Sequence, residues 1–202
     1  MENLFENNQV ALVGEVVSDF QFSHEVFGEG FYIFEVAIER TSGFFDYIPV
    51  MVSERLIDVN KDIRGEGVYI GGQYRSFNKH EESRNQLVLT VFAREIEVGV
   101  DYETTNNVFI CGYICKEPIY RKTPLGREIA DVLVAVNRSY GKSDYIPCIL
   151  WGRNARFGAT FEVGTNVKLW GRVQSREYVK KISDTETEHR VAYEVSVSKV
   201  EV

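Results

Sequence analysis

The chain has 202 residues and a formal net charge of −7. That length suits one large domain or two small ones with cores of their own, and the charge is not that of a uniformly cationic nucleic-acid binder. No apolar run reaches spanning length, and the opening MENLFENNQV lacks the layout of a signal peptide, so a cytoplasmic protein with no membrane role is expected.

In chain order, NQVALVGEVV (from Asn8), FYIFEVAIER and DYIPVMV alternate apolar and polar residues with period two and read as strands. SERLIDVNKDI has helical character. GVYIGGQYRS and QLVLTVFAREIEV follow as strands, and the polar DYETTN (from Asp101) reads as a linker. The pattern then recurs. NNVFICGYIC lies over NQVALVGEVV at a shift of 98 positions, with Gly112 on Gly14; VLVAVNR falls on FEVAIER, and DYIPC on DYIPV. GRNARFGATFEV stands where the first helical stretch stood, although Gly158 and Thr160 make it a mediocre helix. VKLWGRVQS and VAYEVSVSKVEV complete the second copy. The expected fold is all-β with one short helix per repeat: two tandem five-stranded OB-fold barrels, over residues 1–100 and 106–202. A glycine in each first strand marks where a small barrel must bend. Pro49 and Pro147 lack a ladder donor, so each strand is expected to be unpaired or bulged there, either along a binding groove or at a protected edge.

Cys111, Cys115 and Cys148 are odd in number and lie in apolar runs, which reads as buried thiols. His24, His80 and His189 are scattered, so neither metal nor cofactor is expected.

The second copy carries E-P-x-x-R-x-T-P-x-G, V-A-V-N-R, the Trp151-Gly152 step and G-R-x-Q-S-R-x-Y in that order. From Asn106 to Val202 it resembles bacterial single-stranded DNA-binding proteins of the SSB family. The first copy shares the glycine, A-x-x-R and DYIP, but has HEVFGEGF in place of the T-P-x-G loop and Ser53-Glu54 in place of Trp151-Gly152. The resemblance implies that single-stranded DNA is the partner and that Tyr145, Trp151 and Tyr178 stack bases. It also implies that the loops holding Arg121, Lys122 and Arg127, and Arg138, Tyr140 and Lys142, reach along the DNA. Family members combine four barrels from separate chains, so two per chain imply a homodimer. They also continue into a flexible tail with an acidic tip, which is not seen here.

Residue parity agrees with a stacking surface. Ile146, Cys148 and Leu150 share one face of their strand, Tyr145 and Trp151 the other. Lys168, Trp170, Arg172, Arg176 and Tyr178 alternate with Val167 and Leu169, provided no bulge intervenes. Aromatic rings interleaved with cations are what a single strand needs: faces for bases and charge for phosphates. Trp170 is left open between stacking and packing, because the family does not usually have an aromatic there. Arg138 is open too: it contacts phosphate, or it pins a strand end as Arg40 would. Thr123-Pro124-Leu125-Gly126 reads as a turn.

The charge is divided unevenly. Through Tyr102 there are eight Lys/Arg against eighteen Asp/Glu, net −10; the remainder holds fifteen against twelve, net +3. The first copy offers Tyr47, Arg75, Phe77 and Lys79 as its own candidates, and is expected either to bind weakly or mainly to supply an interface. Two functions therefore compete: sequence-independent single-strand binding, protecting DNA in replication, recombination or repair, and a protein-contact accessory. No nucleophile–base pair, metal-ligand spacing or phosphate loop supports an enzyme.

Overall fold

The computed structural model describes residues 6–81, 84–101 and 103–202. Residues 1–5 of the opening stretch and Tyr102 of the linker lie outside it. Among these residues twelve strands, one α-helix and one short 3-10 turn (Ser139–Gly141) follow the repeat. The first copy contains β1 (Asn8–Val16), β2 (Gln21–Val26), β3 (Glu29–Glu39), β4 (Phe45–Ser53), β5 (Gly67–Glu81) and β6 (Arg84–Val98). The second contains β7 (Thr105–Ile114), β8 (Ile119–Lys122), β9 (Glu128–Asn137), β10 (Ser143–Trp151), α1 (Arg153–Gly158), β11 (Asn166–Lys181) and β12 (Thr187–Glu201).

Each copy closes on itself. β1 pairs with β3 and β5, β3 with β4, β4 with β6 in parallel, and β6 with β5; β7 and β9–β12 repeat the circuit. The glycines act where expected. A Cβ on Gly14 would sit 2.4 Å from the Ala37 carbonyl oxygen, and one on Gly112 equally close to that of Ala135, so only glycine lets the first strand cross the third and shut the barrel. Alternating apolar residues fill the interior, among them Leu12, Val36, Ile48 and Ile70 in one barrel and Ile110, Val134, Ile146 and Leu169 in the other.

Two expectations change. SERLIDVNKDI ends β4 with Ser53 and then runs through successive turns and bends, not a helix. Asp58 Oδ1 accepts the Asn60 N–H and Asp62 Oδ1 the Arg64 N–H, so short polar side chains capture the backbone donors that a helix would need. Among the described residues α-helix therefore occurs once, as the six residues of α1, beside one 3-10 turn at Ser139–Gly141. Second, each barrel carries a sixth strand, β2 or β8, hairpinned onto β3 or β9. β2 is exposed at every residue, which gave it no apolar period to read.

The prolines produce no bulge. Pro49 lies opposite Glu35, and Pro147 opposite Leu133, in continuous antiparallel register. The parallel contact on the other side begins one residue later, at Val50 and Cys148, so the missing donor falls outside both ladders. The bulge between Trp170 and Gly171 is absorbed by β12, where Ser198 is the extra residue, and β11 keeps its alternation.

The barrels join through their first strands. β1 and β7 pair antiparallel from Asn8↔Ile110 to Val13↔Thr105, with Val10 directly opposite Val108. Those two valines are repeat equivalents, so a near-twofold axis runs between them.

Candidate nucleic-acid interface

The axis explains the repeated DYIP phrase. Asp46 and Asp144 are buried, with 1% and 0% exposure, and each meets the other copy's long strand. The Ser175 N–H donates to Asp46 Oδ1 (2.9 Å), and the Tyr47 N–H donates to Ser175 Oγ (3.0 Å). At the opposite seam the Ser76 N–H donates to Asp144 Oδ1 (2.8 Å), and the Tyr145 N–H to Ser76 Oγ (2.7 Å). The loop arginines complete both clasps. Arg40 donates through Nε and Nη2 to Asp46 at 2.8 and 2.5 Å, and Arg138 Nε lies 3.1 Å from Asp144 Oδ2. Pairing is what makes a buried carboxylate tolerable. Burial nevertheless holds the Asp144 carboxyl above its ordinary range, against the opposing pull of Ser76, Arg138 and Arg75.

Each seam opens into a cleft lined by both copies. In one, Trp151, Arg127, Arg172 and Arg176 of the second copy face Arg40, Phe44, Phe45 and Tyr47 of the first. In the other, Arg75, Phe77, Lys79, His24 and Phe92 of the first copy face Arg138 of the second. Their volumes are similar, about 850 and 760 Å³, so the acidic copy's cleft has not closed. Tyr47 thus joins the second copy's candidates rather than the first's, because the clasp carries it across the axis.

Each cleft gathers positive charge around one half-buried arginine. Arg75 is pushed down to about 10, first by burial and then by Arg138 and Arg94, with Asp144 opposing. Arg172 is lowered first by burial and then by Arg40, with Asp46 opposing. Cations crowded in this way favour an incoming anion. Arg75 donates to Gln73 (2.9 Å) and Arg172 to Gln174 (3.3 Å). In the repeat alignment Gln73 matches Arg172 and Arg75 matches Gln174, so the two residue types have exchanged places.

The remaining candidates lie around these clefts. Tyr145 is exposed at the seam with β5, separated from Trp151 on its own face by buried Ile149. Trp151 donates its indole N–H to Ser196 Oγ (3.1 Å). Tyr178 borders a third hollow between β6 and β12, with the Arg176 guanidinium 5.8 Å from its ring centre; Arg176 also pairs with Glu194 at 3.2 Å. Tyr140, 99% exposed with φ +64°, tips the loop that follows Arg138, and Lys142 is exposed beside it. Arg121 pairs with Asp131 (2.9 Å); Lys122 and Arg127 are exposed at either end of the β8–β9 turn, where Gly126 has φ +77°.

Trp170 lines neither DNA candidate cleft. It packs on Phe109 with ring centres 5.1 Å apart, has Lys199 over its face at 4.4 Å, and borders a hollow above the β1–β7 pair. Cys148 is buried, while Cys111 and Cys115 are only half-buried; all three thiols are free. Among the described residues no three His, Cys, Asp or Glu side chains gather to hold a metal, and no helix is long and apolar enough to cross a membrane.

Parity reasoning missed Phe44, Phe45, Phe31 and Phe92. The Phe31 and Phe92 rings lie 5.9 Å apart, His24 stacks on Phe31 at 5.0 Å and 10°, and Arg75 covers Phe92 at 4.0 Å. These residues come from four strands, β2, β3, β5 and β6, so no local spacing links them. The available signal was the repeat alignment itself, which sets Phe92 against Ser196.

Residues 105–202, the second copy, match the single-strand binding protein family. The chain is 36% identical over 80 residues to single-stranded DNA-binding protein B of Bacillus subtilis, a span covering 36% of this chain and 71% of that one. It is 34% identical over 80 residues to single-stranded DNA-binding protein 2 of Listeria innocua, again over 36% of this chain but 50% of that protein's length. The fold is similar to the crystal structure of the wild-type single-stranded DNA-binding protein from Thermus aquaticus, with a TM-score of 0.74, 19% identity, and coverage of 96% of this chain and 91% of that one.

Proposed function

The chain belongs to the single-strand binding protein family, and from that premise we propose that it binds single-stranded DNA without regard to sequence, stacking bases on aromatic rings and holding phosphates with arginines. It acts by binding, not by catalysis. The observation that carries this reading is the cleft in which Trp151 and Tyr47 stand among Arg40, Arg127, Arg172 and Arg176. Rings supply faces that every base can use, and cations follow the backbone. Tyr178 with Arg176 extends the path, and the loops of Arg121 and Lys122, and of Arg138, Tyr140 and Lys142, reach along the strand. The role is protection of exposed single strands in replication, recombination or repair. Two chains join as a homodimer to present four barrels; sedimentation of a monomer with DNA bound at micromolar concentration contradicts that assembly.

A protein-contact role is the second reading. It is favoured by the acidic first copy and by the β2–β3 hairpin, whose Phe22 and Phe27 are exposed. Fluorescence separates the two. Bases stacked on Trp151 quench its emission when oligo-dT is added, whereas a protein adaptor shows no change.

A further inference from the structure

The first copy lacks the tryptophan of the second: Ser53 stands where Trp151 does. Ser53 is buried at the end of β4, opposite Phe31 on β3, and its hydroxyl donates to Glu29. The neighbouring parallel strand shows the reverse exchange. β4 meets β6 at Met51↔Phe92, and β10 meets β12 at Ile149↔Ser196, so Phe92 and Ser196 are equivalent positions. In the second copy the large ring is Trp151 and its neighbour is the small Ser196, 3.1 Å away. In the first copy the small residue is Ser53, and the ring has moved to Phe92.

Phe92 is not used up as core. It is half-buried and lines the first copy's cleft, together with Phe77, Lys79 and Arg138. The Arg75 guanidinium lies over one face of its ring, 4.0 Å from the centre, and the Phe31 ring stands 5.9 Å away, tilted by 31°. In a cleft rich in cations, a base can stack on the outer plane of that guanidinium, or on the ring itself once the guanidinium turns to a phosphate. The net charge of −10 through Tyr102 is therefore no measure of this cleft, because its cations are gathered locally and one is supplied by the other copy.

We infer that the acidic copy holds a second base-stacking site for single-stranded DNA, centred on Phe92 and Arg75, in which the ring has been transferred from the β4 position to the β6 position. This rests on the single-strand binding reading above. The site takes any nucleobase and is completed by Arg138 from the other barrel.

The test compares Phe92→Ser, which copies the second repeat, with Phe92→Tyr, which keeps a ring. An oligo-dT long enough to span both clefts is titrated by anisotropy, and circular dichroism confirms folding. Loss of one stacked base weakens Phe92→Ser binding roughly 5- to 150-fold, while Phe92→Tyr stays near wild type. A second measurement places a reporter in the site: Phe92→Trp in a Trp151→Phe, Trp170→Phe background is quenched by saturating oligo-dT. If Phe92→Ser binds like wild type while Trp151 is still quenched, the second site is refuted and the proposed function stands. An unquenched Trp reporter likewise refutes the site. If the wild-type chain neither binds oligo-dT nor shows quenching, both readings fall.

Discussion

Around the same axis, the two barrels solve one problem in two ways. The second keeps a large ring on β10 and arginine at position 172. The first places its ring on β6 and its arginine two positions along, at Arg75, where the second has Gln174. Both arrangements leave one half-buried arginine beside a loop arginine from the other copy. A local arrangement of ring and cation thus persists while the ring and one arginine change places and the loop arginines, Arg40 and Arg138, stay at equivalent positions. Reading the copies position by position scores the first as having lost its site. Reading them by what fills each cleft finds a ring and a half-buried arginine in both, which is what the proposed second site rests on.

The comparison can be broken at several strengths. The largest effect belongs to Trp151→Ala combined with Phe92→Ser. Two stacking losses in separate clefts should add, weakening oligo-dT binding by roughly 30-fold or more. A double mutant no weaker than Trp151→Ala alone leaves the first cleft without a role. Next comes Tyr47→Ala. It lines the second copy's cleft, so it should weaken binding by about 1–3 kcal/mol, as a single ring does, and should couple to Trp151 in a double-mutant cycle; independence from Trp151 would return Tyr47 to the first copy.

The seams differ in strength. Asp46 holds its arginine through two hydrogen bonds, Asp144 through one contact. Asp46→Ala is expected to destabilise by about 2–4 kcal/mol and Asp144→Ala by less, read from denaturant midpoints at unchanged slope. Salt gives a smaller distinction. Removing one phosphate contact, as in Arg172→Gln or Arg176→Gln, should flatten the slope of log affinity against log salt by about 0.7. The smallest effect concerns pH. Burial raises the Asp144 carboxyl, so the folded chain holds that proton more tightly than the unfolded one. Its contribution to stability therefore falls as pH rises through the window that starts near the ordinary carboxylate value of 3.8 and ends at the raised one. Asp144→Asn should accordingly cost less at pH 7 than at pH 4, and the opposite trend would contradict the assigned direction.

The barrels were legible because their rules are local. Alternation marks the inward residues of β7 and β11, and Gly14 and Gly112 mark the crossing strands. The 98-residue shift aligns the two units before any pairing is known. The turns after Ser53 were misread because SERLIDVNKDI has helical spacing, yet its Asp58 and Asp62 bind the nearby backbone. Tyr47 lines the second copy's cleft through a clasp between Asp46 and Ser175 that joins residues 129 positions apart, a neighbourhood that no local pattern marks. Phe92 is not legible from the sequence, because its place depends on a narrow parallel contact between β4 and β6, and strand parity says nothing about which strands become neighbours.

The near-twofold axis between Val10 and Val108 has one more consequence. Where separate identical chains meet about such an axis, any change in the gene is written on both sides at once, and the partners cannot drift apart. Here each half has its own copy of the text, and an edit lands once. The halves are free to become unlike, and Ser53 with Phe92, against Trp151 with Ser196, records that freedom. Unlike halves also give the molecule a head and a tail. A strand laid across both clefts meets them in one order, so running 5′ to 3′ and running 3′ to 5′ are no longer the same complex.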